Sequence, residues 1–138
     1  MNRTWMIDTN TVSYIIKGNS PAARARLALL PKDEAACISS ITAAEIRFGL
    51  ARRPIPSAFR AAMEGFLAKI PILPWGSEEA LVYGGLRAKQ EAAGKPLESM
   101  DLLIAAHAIS AGARLVTHDA VFRQVEDLPA TVDWATDL

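Results

Sequence analysis

Four acids sit at joints where they could do chemistry together: Asp8, Glu45, Asp101 and Asp119. Asp8 follows the run T-W-M-I, whose β-branched and aromatic residues suit a buried strand; polarity switches at Asp8-Thr9-Asn10. In an open α/β sheet such a switch marks the strand's carboxyl end, where ligand crevices form. Glu45 opens the helix after a second strand, Asp101 the helix before a later strand, and Asp119 closes that strand in V-T-H-D. Each acid also has an innocent reading. Asp8 suits a helix N-cap, Thr42-x-x-Glu45 a capping box, Asp101 a helix's positive end and Asp119 a turn.

Taken together, the four are harder to explain away. Asp101 heads a stripe of Ile104, Ala105 and Ala108 that must pack inward, and a buried carboxylate without a partner is costly. Converging carboxylates repel unless a cation holds them, and hard oxygen ligands suit Mg²⁺ or Mn²⁺. The histidines give no competing centre: His107 lies mid-helix as a packing or surface residue, and no H-x-x-x-H or H-E-x-x-H pattern occurs.

The elements that must position these acids follow from punctuation. Helices are expected over 11–16, from Ser20-Pro21 to Leu30, over 41–50 with Thr42 as cap, over 58–69 with Ser57 as cap, from Ser77 to Gly94, and over 100–111 with Ser99 as cap and Gly112 beyond the end. Strands are expected over 4–7, 35–39, 70–74 and 114–117, with T-V-D-W of the tail as a fifth at a sheet edge. Strands and helices alternate without repeat or linker, so 1–138 reads as a single α/β domain, a mostly parallel sheet of about five strands covered on both faces by helices.

Composition narrows the function classes. Hydrophobic residues make up 51% of 138, too many for a disordered chain. Cys37 is the only cysteine, and no stretch of about 18 apolar residues offers a membrane span, so a reducing cytoplasm is expected. With 15 basic and 15 acidic residues the net charge is zero, and no global positive field recruits nucleic acid. Metal bound by the acids would leave the bases less opposed.

M-I-D-T-N, S-S-I-T-A-A-E-I-R-F-G-L, M-D-L-L-I-A-A-H-A and L-V-T-H-D-A-V-F, in this order and spacing, resemble the PIN-domain ribonucleases of the VapC toxin type. The resemblance implies a PIN-like α/β/α sandwich and a Mg²⁺-dependent endoribonuclease, Mn²⁺ serving as substitute, that cuts structured RNA such as tRNA or rRNA. It implies metal ligation by Asp8, Glu45, Asp101 and Asp119, with Thr9, Asn10 and Thr117 orienting carboxylates or water. It further implies a homodimer and a VapB-type antitoxin whose tail occupies an apolar groove. Arg47, Arg87, Lys89, Lys95 and His118 are the candidate RNA contacts. Two positions depart from the pattern: Glu98 stands where glycine is usual before the catalytic aspartate, and His118 where asparagine is common.

A haloacid-dehalogenase-type phosphatase also uses an aspartate after its first strand, but needs a second acid where this chain has Asn10. A receiver domain would want paired acids and a late lysine that Thr117-His118-Asp119 does not supply. A non-catalytic module that binds a basic peptide through its acids is the remaining alternative.

Overall fold

The computed structural model describes residues 3–138. Four strands form one parallel sheet in the order β3-β2-β1-β4: β1 (Arg3–Ile7), β2 (Glu34–Ser39), β3 (Ile72–Leu73) and β4 (Arg114–Val116). β1 is central, with Met6 opposite Cys37 on one side and Leu115 on the other. Because side chains alternate along a strand, β1 feeds two cores. Trp5 and Ile7 join Val12, Ile38, Ile46, Met63 and Trp134 on one face, while Met6 joins Cys37, Leu86, Leu102, Ala105 and Leu115 on the other. Burial pushes the Cys37 thiol up to about 11, which leaves it a packing residue.

Among the described residues, six α-helices cover the faces: α1 (Thr9–Lys17), α2 (Pro21–Ala28), α3 (Ser40–Ala51), α4 (Ser57–Lys69), α5 (Ser77–Ala92) and α6 (Ser99–Ala111). α1 stops at Gly18, whose φ of 75° is a left-handed conformation, and α6 stops the same way at Gly112. Among the described residues, no helix is long and apolar enough to cross a membrane.

The expected fifth strand shrinks to one bridge. Val132 pairs with Val116 in parallel, but Asp133 then accepts a hydrogen bond from the Ala135 amide at 2.8 Å, turning the chain away. The caps also move. α3 is capped by Ser39, whose Oγ accepts from the Ile41 amide at 3.1 Å, so Thr42 lies inside the helix and is buried. Ser57 and Ser99 are first helical residues, following Pro56 and Glu98, neither of which makes a side-chain cap. β3 is two residues long, shorter than the 70–74 run suggests.

Strand order reverses at β1: the chain proceeds outward through β2 and β3, then returns to place β4 on β1's other side. The crevice of an open α/β sheet belongs at the carboxyl ends of the strands flanking such a switch. Asp8 ends β1, and Thr117 to Asp119 follow β4.

Candidate active site

All four acids reach that crevice. Asp8, Glu45, Asp101 and Asp119 share with Thr9 and Asn10 a pocket of about 90 Å³, closed on its apolar side by Ile104 and Phe122. A water needs only about 10–15 Å³ of such space, so the pocket has room for an ion with its waters. Among the described residues, no three histidine, cysteine, aspartate or glutamate side chains stand close enough together to hold a metal ion as they are placed. The acids surround the pocket without clasping it.

Asp8 carries two duties. It is the N-cap of α1, its Oδ1 accepting from the Thr11 amide at 2.9 Å, and it is 5% exposed. Burial pushes its carboxyl above the ordinary value, and the Thr117 and Thr11 side chains pull it partway back. Asp8 thus caps α1 and lines the pocket at once.

Glu45 takes no part in a capping box, since α3 begins at Ser40 and places it in the second turn. Its Oε1 instead accepts the Thr9 hydroxyl at 2.7 Å, across 36 residues of sequence. Thr9 thus fixes one carboxylate oxygen. Asp101 sits in the first turn of α6, with Ile104, Ala105 and Ala108 buried behind it as its stripe predicts. Its pKa is raised to about 6, first by desolvation, then by the charges of Asp119, Glu98, Glu45 and Asp8. Asp119 is exposed; its amide bonds to Thr117 Oγ1 at 3.0 Å and its Oδ1 accepts from Val121, starting a 3-10 helix over Ala120–Gln124. That helix brings Phe122 under the pocket, a contribution for which the sequence carried no signal beyond an aromatic residue three places after an acid.

Among the described residues, no lysine, arginine or histidine lines the pocket. Of the candidate RNA contacts, Arg47 pairs with Glu64 at 2.5 Å, Arg87 with Glu91 at 2.8 Å and Lys89 with Asp127 at 2.8 Å. His118 Nδ1 meets Asp133 at 2.7 Å, and Lys95 is exposed in the loop before α6. His107 is a packing residue: it is 2% exposed and its Nδ1 lies 2.7 Å from Ser39 Oγ, tying α6 to the end of β2. Asn10, in place of a second acid, and the lack of a lysine in the pocket leave neither the phosphatase nor the receiver arrangement.

A small parallel α/β sandwich with an acidic crevice at its switch point is the architecture of a nuclease-like fold, and comparison names the family. Residues 5–128 match the PIN domain family model, and the chain belongs to the PIN-domain family. Within it, the chain is of the VapC ribonuclease type. It is 33% identical over 132 residues to the tRNA(fMet)-specific endonuclease VapC of Shigella flexneri, an overlap spanning 95% of this chain and 98% of that protein. It is similar in structure to VapC-containing complexes: the DNA-bound VapBC of Salmonella typhimurium (TM-score 0.85, 32% identity, 97% of this chain and 99% of that one). The VapBC2 of Rickettsia felis, bound to a promoter DNA fragment, gives a TM-score of 0.84 at 31% identity, covering 91% and 95% of the two chains.

Proposed function

We propose that the chain is a metal-dependent endoribonuclease, the toxin of a toxin-antitoxin pair, hydrolysing phosphodiester bonds of structured RNA such as tRNA or rRNA and so slowing translation. The single observation that carries the reading is the gathering of Asp8, Glu45, Asp101 and Asp119 around one pocket that, among the described residues, no basic side chain lines. The names of similar proteins agree, since one is a tRNA(fMet)-specific endonuclease and others are solved as VapBC complexes.

The donor set fits a hard divalent cation, four carboxylates with hydroxyl and amide support being the chemistry of an Mg²⁺ or Mn²⁺ site. Asp8, Glu45, Asp101 and Asp119 would hold it, and when bound it supplies Lewis acidity that activates water and offsets charge on the leaving 3′ oxygen. The chain's own residues prepare that chemistry. The Thr11 amide holds Asp8 Oδ1 and the Thr9 hydroxyl holds Glu45 Oε1, so each carboxylate is oriented before substrate arrives. Thr117 positions the backbone of Asp119. Ile104 and Phe122 exclude water from the apolar side, which strengthens the electrostatics within. Asn10, exposed at the rim, offers an amide to a substrate oxygen. Hydrolysis in which water adds to phosphorus and the P–O3′ bond breaks would leave a 3′ hydroxyl and a 5′ phosphate.

A cognate antitoxin of VapB type is the neutralising partner in this reading, and a second copy of the chain is its partner in a homodimer. An apolar cleft of about 440 Å³ between α1, α2 and α4, lined by Ile16, Leu27, Ala62, Phe66 and Ile70, suits an amphipathic segment of such an antitoxin. The test is cleavage of purified tRNA and rRNA. Cutting in Mg²⁺ or Mn²⁺ that leaves 5′ phosphates, stops in EDTA and returns on adding metal is expected. Equal cutting in EDTA, or no cutting of any RNA, overturns the reading.

A further inference from the structure

The basic residues along α5 are poorly placed to hold a phosphate, because Arg87 and Lys89 are already bound to Glu91 and Asp127. A phosphate would first have to displace a carboxylate from each. On the far side of Glu45 the balance reverses. A cleft of about 140 Å³ between α1, α3 and α4 shares Thr9 and Glu45 with the acid pocket, and Lys17, Arg52 and Arg53 line it. Among the described residues none of these three cations has a carboxylate partner. Lys17 Nζ lies 5.7 Å from the centre of the Phe59 ring and the Arg52 guanidinium 5.7 Å from that of Phe48, contacts that leave their N–H groups free for an anion.

Phe48 adds a second, independent feature. It is 64% exposed, and a hollow lined by Phe48, Arg52 and Met100 opens from Thr9 and Glu45. An unburied ring beside a cation is a surface on which any nucleobase can stack. A phosphodiester strand needs anchors for the phosphates next to the scissile one, so cations adjoining the acid pocket are where such a strand requires them. An acidic peptide would find the same cations but would run on into four carboxylates.

We propose that the RNA strand leaving the acid pocket crosses α3, with its phosphates on Lys17, Arg52 and Arg53 and one unstacked base against Phe48. The segment bound there is single-stranded, because only a splayed base offers its face. The proposal rests on the ribonuclease reading and makes these four residues positioning residues that set RNA affinity.

The experiment measures anisotropy of a short fluorescein-labelled oligouridylate with the full chain in metal-free buffer at several salt concentrations, and steady-state cleavage of RNA in Mg²⁺. The combined Lys17→Ser, Arg52→Ser, Arg53→Ser variant is expected to bind at least tenfold more weakly, with a log–log salt slope shallower by about 2. Phe48→Ala is expected to weaken binding roughly tenfold, and Phe48→Tyr to restore it. In cleavage these variants raise KM and leave kcat near wild type. The Arg87→Ser, Lys89→Ser variant changes binding less than about twofold, its cations being neutralised already. Unchanged binding by the triple variant, or an equal loss in the α5 variant, overturns the path while wild-type cleavage still stands. Tighter binding of polyglutamate than of oligouridylate overturns RNA as the occupant. A wild-type chain that cuts no RNA defeats the ribonuclease reading itself.

Discussion

The two ends of the parallel sheet treat charge in opposite ways. At the amino end, Glu34 opens β2, accepts the Trp5 indole N–H at 2.7 Å and meets Arg26 at 3.4 Å. Arg26 lies 5.4 Å from the Trp5 ring centre and 5.1 Å from that of Trp134, and Arg114 stacks on Trp5 from β4. The Trp5 hydrogen bond, then Arg26, hold the Glu34 carboxyl below its ordinary value. At the carboxyl end four carboxylates meet only hydroxyls, amides and one another, and Asp101 is driven up to about 6. The same functional group titrates in opposite directions at the two ends because one end meets its carboxylate with an indole N–H and then a guanidinium, while the other desolvates its carboxylates and then sets them against one another. A charge the fold leaves unbalanced is kept for something outside the fold.

The largest expected effect breaks the carboxyl end. Asp8→Asn keeps the cap on Thr11, since Asn caps as well as Asp, but removes a charge from the pocket. Cleavage should fall at least about a hundredfold, more than the loss of an orienting residue alone costs, with thermal stability held or raised. Initial rates and melting curves check this; wild-type rates from a folded Asp8→Asn chain would erase the distinction between the ends. The matching change at the amino end is Trp5→Ala. It empties a site 2% exposed and should cost about 3–5 kcal/mol, seen as a lower urea midpoint, while the folded fraction cuts RNA at the wild-type rate.

How much of this contrast was legible in the sequence depends on its range. T-W-M-I followed by an acid announced β1 and Asp8, and alternation of elements announced the sheet, because both signals are local. The start of α3 is ambiguous in sequence because Ser39, Ser40 and Thr42 can all cap a helix; only the extended φ and ψ of Ser39 (−73° and 149°) select it. Thr42 as cap would tie Glu45 into a capping box, whereas a cap three residues earlier frees it for Thr9. The neutralisation of Lys89 by Asp127 lies 38 residues away in sequence, and that of Arg47 by Glu64 spans 17. No spacing rule reveals such pairs, so Arg47 and Lys89 are cations whose occupation by the fold the sequence does not show.

A third prediction measures the imbalance as stability. Asp101 has a folded pKa of about 6 against an ordinary 3.8, so the folded metal-free chain keeps a proton that the unfolded chain releases between those pH values. Stability from this group is therefore whole below about pH 4 and falls as pH rises to about 6, with the cost complete above it. Two pKa units set a ceiling of about 3 kcal/mol, which partial exposure to solvent reduces to about 1–2 kcal/mol. Asp101→Asn should make the metal-free chain more stable by that amount at about pH 8 and leave it unchanged near pH 4. Urea denaturation at both pH values measures the difference, and a variant less stable than wild type at the higher pH would show that the carboxylate is balanced after all.

The smallest effect isolates one source of the imbalance. Glu98 precedes α6, makes no side-chain cap, and follows Asp119 among the charges that push Asp101 up. It is exposed, so water screens most of its field, and a single charge at such a position shifts a neighbour by a few tenths of a pKa unit. Glu98→Gln should therefore lower the Asp101 midpoint by about that much, followed by carboxyl-carbon NMR in the metal-free chain, and the shift should shrink as salt is raised. Desolvation, the larger cause, is untouched by the substitution, so the midpoint stays well above 3.8. A midpoint that does not move, or moves equally at high salt, would assign the raised value to burial alone and reduce the contrast between the two ends from one of charge to one of solvent access.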